Sequence, residues 1–226
     1  MGQTLSLFER VKLYFDSEGL VAPLLRLEKN QFLYTYGAKD RSIYVVAAGG
    51  VKTLGIASNG KTCFLDIHLP GDLLGESCLV HEERTESVVA MTSPTLLHRF
   101  PREHFLQALT NQSLHEQFMQ HLALNLCEQQ KRISQLVTMD SKQCLAETLL
   151  KLSRRAGVRK GEVVYIKCRV TQGELAEMVG TTRSRVGYFL KQFRSERIIC
   201  LTEDHLLAIN LREIDTYLRA GLPSRC

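Results

Sequence analysis

Residues 171–197, TQGELAEMVGTTRSRVGYFLKQFRSER, constrain this chain more than any other stretch. The pattern predicts two short helices joined by a tight turn. Thr171 stands three residues before Glu174, a capping-box spacing that satisfies orphan N–H groups at a helix start. Leu175, Met178 and Val179 fall on one face of that helix, and Ala176 is small where a second helix must cross. Gly180 supplies the positive φ that a sharp turn needs. Val186, Phe189, Leu190 and Phe193 then repeat at helical spacing. The other face of the second helix carries Thr182, Arg183, Ser184, Arg185, Tyr188 and Lys191. An amphipathic hairpin with a solvated basic face would share this pattern, so the next segment matters. Residues 198–201 and 206–209 are short β-prone runs around the polar turn 202–205. A helix-turn-helix followed by a β-hairpin is a winged helix, whose second helix offers its exposed start to a DNA major groove.

Charge is distributed to suit that reading. Residues 141–226 hold 16 Lys and Arg against 9 Asp and Glu, a net of +7. Residues 1–140 hold 13 against 15, a net of −2. A basic C-terminal part on a mildly acidic N-terminal part fits a polyanion-binding module attached to something else. The 226 residues leave room for one large or two modest domains, and an apolar share of 44% supports a real core.

No apolar run approaches the roughly 18–20 residues of a membrane span. The N-terminus lacks a charged start followed by an apolar core, so no signal peptide is expected. Gly2 and Ser6 match a myristoylation pattern too short to carry weight. Seven cysteines, Cys63, Cys78, Cys127, Cys144, Cys168, Cys200 and Cys226, are scattered without a C-x-x-C pair. That usage suits a reducing cytosol and offers no metal-ligand cluster. No nucleophile elbow or P-loop is present, so the chain reads as a non-enzyme.

The N-terminal half reads differently. Residues 5–15 suit a short helix. From about residue 22 to 98, β-prone runs recur at 31–36, 42–47, 51–57, 62–69, 87–91 and 95–100. Gly37, Gly49-Gly50, Asn59-Gly60 and Pro70-Gly71-Asp72 punctuate them, and Asn59-Gly60 is a strong hairpin signal. Spacing near ten residues predicts an antiparallel sandwich or barrel.

Residues 111–139 contain neither Gly nor Pro and predict one long helix of roughly 40 Å. Met119, Leu122, Leu126, Gln129, Ile133 and Leu136 mark an a/d seam that invites a second copy of the helix. Asp140-Ser141 then interrupts the helix and caps another over 142–156, ended by Gly157. Residues 162–170 suit a strand leading into the helix-turn-helix. One further constellation bears chemistry. Gly75 and Glu76 precede Arg84 and Thr85 by a short loop. A glycine lets backbone N–H groups near an anion, an arginine offers a planar fork to a phosphate, and a carboxylate accepts from ribose hydroxyls. A turn with a surface salt bridge would look the same.

The order of β-roll, long seam helix and winged helix-turn-helix resembles the Crp/Fnr family of bacterial transcription regulators. The motifs that carry the likeness are the strand and glycines around 43–52, Asn59-Gly60, the run Pro70-Gly71-Asp72-Leu73-Leu74-Gly75-Glu76, and the helix-turn-helix 171–199. The resemblance implies an α+β fold. It has an antiparallel, cyclic-nucleotide-binding-like β-roll sensor over 1–110, a dimerisation helix over 111–139 and a winged-helix DNA-binding domain over 140–226. It also implies a cytoplasmic homodimer on a two-fold double-stranded DNA site, with RNA polymerase as a partner.

Carried over residue by residue, Gly75 and Glu76 match the family's ribose-binding pair, and Arg84 and Thr85 its phosphate-binding pair. Gln129 and Gln130 align where the cyclic AMP receptor places a Thr-Ser pair against the base. The chain also departs from the pattern. The loop before Arg84 is about two residues shorter than the receptor's, and Glu86 replaces a residue that is usually small. A cyclic nucleotide is therefore one implied effector. The alternative is a degenerate cassette in a regulator that is effector-independent or responds to thiol oxidation. In the reading helix Arg183 matches, while Ser184 and Tyr188 replace a Glu and an Arg, so the DNA site should differ. Thr171, Gln172 and Lys191 are the candidates for phosphate contact, and Thr182 and Arg185 complete the expected DNA face.

Overall fold

The structure is a computed structural model that describes residues 7–56, 60, 62–166, 170–202 and 206–220, with Leu136 described by its backbone alone. Gly2, Leu5, Ser6, Asn59, Cys168, Cys226 and turn residues 203–205 lie outside the described residues. The chain forms two compact units, Met1–Gln130 and Lys131–Cys226.

Within the described residues the first unit has α1 (Leu7–Ser17), which buries Val11 and Phe15; residues 5 and 6 of the expected helix lie outside them. Among the described residues eight strands follow: β1 (Leu24–Leu27), β2 (Phe32–Tyr34), β3 (Ser42–Ala48), β4 (Val51–Ile56), β5 (Thr62–His68), β6 (Leu73–Leu74), β7 (Ser87–Ala90) and β8 (Thr95–Pro101). They pair antiparallel in two four-stranded sheets, ordered β1-β8-β3-β6 and β2-β7-β4-β5. The described strands form two open sheets, so the sandwich reading holds and the closed-barrel alternative does not. Gly49-Gly50 carries the chain from β3 in one sheet to β4 in the other.

Alternation along β3 explains the layering. Tyr44 and Val46 join Leu27, Val51, Leu74, Val88 and Leu97 in one core. Ile43 and Val45 point the other way, into a second core with Val11, Phe15, Phe100, Phe105 and Phe118. Phe100 comes from β8 and the others from α1, from α2 (Arg102–Ala108) and from the start of α3 (Gln112–Thr138), so β3 is covered on both faces. A strand with two covered faces reads as a continuous apolar run. Burying each of these large side chains contributes about 1.5–3 kcal/mol relative to exposure.

The second unit begins in the last residues of α3. Asp140 caps α4 (Ser141–Ala156) with a full capping box, accepting from the N–H groups of Lys142 and Gln143 while Gln143 accepts from its own. β9 (Gly157–Lys160) pairs with β10 (Val163–Ile166); β9 is a strand the sequence pattern does not reveal, β10 starts one residue later than expected, and residues 167–169 of the expected strand lie outside the described residues. Then come α5 (Gln172–Val179), α6 (Arg183–Ser195), β11 (Ile199–Leu201), β12 (Leu207–Asn210) and α7 (Leu211–Ala220). The sheet order is β11-β12-β10-β9, so the wing hairpin of β11 and β12 extends the strand pair ahead of the helices. Leu145, Leu149, Ile166, Leu175, Val186, Leu190, Phe193, Ile209 and Ile214 are buried. Among the described residues, no helix is long and apolar enough to cross a membrane.

Candidate functional site

The helix-turn-helix is built as its local chemistry dictates. Thr171 Oγ1 accepts from the Glu174 N–H at 3.2 Å, and Glu174 Oε2 accepts from the Thr171 N–H at 2.7 Å. Gly180 takes φ 70° and ends α5 in the left-handed region, where a Cβ would be strained. Thr182 caps α6 by accepting from the Arg185 N–H. Val186, Leu190 and Phe193 turn inward, which leaves Thr182, Arg183, Ser184, Arg185, Tyr188 and Lys191 exposed. Gly187 provides close approach: a Cβ there would lie 3.1 Å from Gln172 Oε1.

The expected DNA residues therefore differ in their freedom. The Thr171 hydroxyl also donates to Glu174 Oε2 at 2.8 Å, so it serves the helix cap first. The Gln172 side chain lies next to Gly187 of α6. Tyr188 is 60% exposed, and its hydroxyl accepts from Gln192 Nε2 at 2.9 Å. The sequence pattern did not single out Gln192 as a partner of Tyr188. Lys142, near the start of α4, donates to Glu196 at 3.1 Å and lies over the rings of Phe193 and Tyr217. These contacts fix the C-terminal end of α6 against α4 and α7.

In the first unit the structure brings Gly75, Glu76, Arg84 and Thr85 into one neighbourhood. Gly75, at φ 88°, precedes a 3₁₀ turn over Glu76–Leu79. A Cβ on Gly75 would stand 2.9 Å from Arg84 Nη1, so only glycine admits the guanidinium here. Arg84 is buried. It donates to the Gly75 carbonyl at 2.6 Å, to Asp40 Oδ2 at 2.7 Å and to the Ser42 carbonyl, and its plane lies 4.1 Å from the Tyr34 ring centroid. Glu76 Oε1 lies 3.1 Å from His121 Nε2 on α3, so the cassette touches the long helix through His121. Thr85 donates to Glu86 Oε2 at 2.6 Å. Beside this group a shallow depression of about 350 Å³ is lined by Tyr36, Gly37, His81, Glu82, Glu83, Arg84 and Thr85.

Gln129 and Gln130 are not brought to this group within one chain. They are exposed on α3, more than two turns beyond His121, roughly 12 Å along the axis. Asp40 and His121 carry no sequence signal, because each meets its partner across more than 40 residues. Burial, and next the Glu86 charge, raise the pKa of Tyr34, so its hydroxyl stays a donor. Cys78 is buried, and that burial raises its thiol pKa, which leaves little thiolate for redox chemistry there. Cys63, Cys127 and Cys200 are exposed.

Comparison with known proteins agrees with both units. Residues 24–112 match the family model of the cyclic nucleotide-binding domain, and residues 143–214 that of the Crp-like helix-turn-helix domain. An anaerobic regulatory protein of Bacillus subtilis strain 168 is 25% identical over 201 residues, covering 87% of this chain and 82% of its own. The solved structure of FixK2 from Bradyrhizobium japonicum superposes with a TM-score of 0.75 at 18% identity, over 87% of this chain and 97% of its own. A CooA variant from Carboxydothermus hydrogenoformans gives a TM-score of 0.75 at 21% identity, over 96% and 97%. A cyclic-nucleotide-binding-like β-roll joined by a long helix to a winged helix-turn-helix defines a DNA-binding transcription regulator. Within that class, the chain belongs to the Crp/Fnr family.

Proposed function

We propose that the protein acts as a cytoplasmic homodimer that reads a two-fold site on double-stranded DNA with α6 and conveys its state to RNA polymerase. The observation that carries this reading is the exposed face of α6, where Arg183, Ser184, Arg185, Tyr188 and Lys191 stand clear of the packed face. Arg183 is the candidate for a bidentate guanine contact, and Lys191 and Gln172 for phosphate contacts that position the helix. Residues 1–110 serve as the sensor, 111–139 as the dimerisation helix and 140–226 as the DNA-binding domain. Met119, Leu126 and Ile133 support the dimer, since these seam residues are 52%, 60% and 63% exposed along α3. Leu122 instead packs on the core of its own unit. No catalytic role is assigned to any residue.

The effector is a small molecule bound near Gly75, Glu76, Arg84 and Thr85, with Gln129 and Gln130 available from the long helix, or else is absent. Arg84 bears on the choice, because its fork is committed to Asp40 and two carbonyls. The function is tested by fluorescence anisotropy on palindromes selected from a random duplex pool, across a salt series. The expected result is sequence-selective binding whose affinity falls linearly on a log–log salt plot. Selection that enriches no sequence at low salt would overturn it.

A further inference from the structure

Glu86 stands two residues after Arg84, immediately before β7, and is half-buried. Its carboxylate collects three hydroxyl donors. Tyr34 donates to Oε1 at 2.9 Å, Ser77 donates to Oε1 at 3.1 Å, and Thr85 donates to Oε2 at 2.6 Å. The three come from β2, from the 3₁₀ turn after Gly75 and from the segment that carries Arg84. They are three neutral donors beside the cassette, and one anion of the chain's own holds all three.

The cationic donor is also committed. Arg84 pairs with Asp40 at 2.7 Å, and its Nε is buried without a hydrogen-bond partner. Asp40 is shared, since Arg99 also pairs with it at 3.8 Å, but Glu76, Glu86, Glu82 and Glu83 stand around the same region, so the acidic groups outnumber the two arginines. His121 faces Glu76 alone among these. An incoming phosphodiester would compete with a tethered carboxylate for the same hydroxyls while facing like charge. Tethering favours the resident anion, because its local concentration is fixed by the fold.

We propose that Glu86 is a specificity-determining residue that acts as an internal anion and excludes phosphate-bearing ligands, cyclic nucleotides among them, from this β-roll. The proposal rests on reading the β-roll as the sensor, but its test does not depend on DNA binding. Glu86 is replaced by Gln, which keeps the shape and an acceptor, and separately by Ala, which removes the side chain. Calorimetric titrations of the full-length protein and both variants use cyclic AMP, cyclic GMP and inorganic phosphate as probes. Thermal melting establishes that each variant is folded.

The parent protein is expected to give no saturable heat. Glu86→Ala should bind at least one of these probes at least tenfold more tightly than the parent, and Glu86→Gln should fall between them. Parent binding equal to or tighter than that of the variants would overturn the proposal, and so would folded variants as silent as the parent. Loss of DNA binding by the parent in a parallel anisotropy assay would strike the regulatory reading and leave this result standing.

Discussion

The Arg84 guanidinium donates to the Asp40 carboxylate across 2.7 Å, with the arginine side chain fully buried and the aspartate 16% exposed. The pair ties the loop before β7 to the segment before β3, 44 residues earlier in the chain. The same Asp40 oxygen accepts from the Tyr44 hydroxyl at 2.9 Å. Removing one partner of a buried pair leaves an uncompensated charge, which costs about 3–5 kcal/mol. Asp40→Ala should therefore lower stability by about 3 kcal/mol, the low end, because Asp40 keeps some contact with water. Urea unfolding followed by fluorescence reads the loss as a lower midpoint at unchanged slope. A change under about 1 kcal/mol would mean that Arg84 finds carbonyls enough without its carboxylate.

Alkaline stability follows from the two tyrosines beside that pair. Burial, and next Asp40, push Tyr44 up to about 12, and burial with the Glu86 charge raises Tyr34 further. Both ionise near pH 10 when unfolded. The folded state then holds protons that the unfolded state has released, so stability is full below about pH 10 and falls as pH rises towards 12. Each tyrosine contributes up to about 1.4 kcal/mol per pH unit in that window. Urea midpoints at pH 8.5 and pH 11 should diverge, and Tyr44→Phe should flatten the difference. Equal pH sensitivity in that variant would remove Tyr44 from the account.

What the sequence disclosed and what it hid divide along the range of the interactions. Thr171 with Glu174, Gly180, and the repeat from Val186 to Phe193 are contacts of three to seven residues, and each stands where the pattern put it. The pattern of β-prone runs broken by turn signals revealed the long strands. It missed β6, whose two residues are a strand only because Tyr44 and Val45 pair with them. It missed β9, which starts at the glycine where α4 stops. α7 had a readable signal that went unused: Asn210 accepts from the Arg212 and Glu213 N–H groups as a cap, ahead of Leu211, Ile214 and Leu218 at helical spacing. Arg84 was visible as a residue type, but Asp40, which fixes its direction, was not.

Arg183 and Lys191 on α6 should separate specificity from positioning. Arg183→Ala should weaken binding to the selected site by about 1–3 kcal/mol and relax preference at one base position. Lys191→Ala should weaken binding nearly uniformly across sequences and reduce the salt slope by about 1. Anisotropy titrations against the selected site and its single-base variants, at two salt concentrations, tell these apart. If Arg183→Ala left the base preference unchanged, the base contact would have to be sought among Ser184, Arg185 and Tyr188.

Leu126 and Ile133 are one heptad apart on α3, and both are majority-exposed in the single chain. Leaving two such groups in water forgoes about 1.5–3 kcal/mol each, which pairing with a second copy would recover. Replacing both by Glu sets like charges against each other across a two-fold seam while touching no core residue of either unit. The parent should sediment as a dimer at micromolar concentration and the double variant at half that mass. The variant should also lose DNA affinity, because two half-sites held by one dimer act at a high effective concentration that separate chains lack. A parent that sediments as a monomer, or a variant that stays dimeric, would move the self-association surface away from this seam.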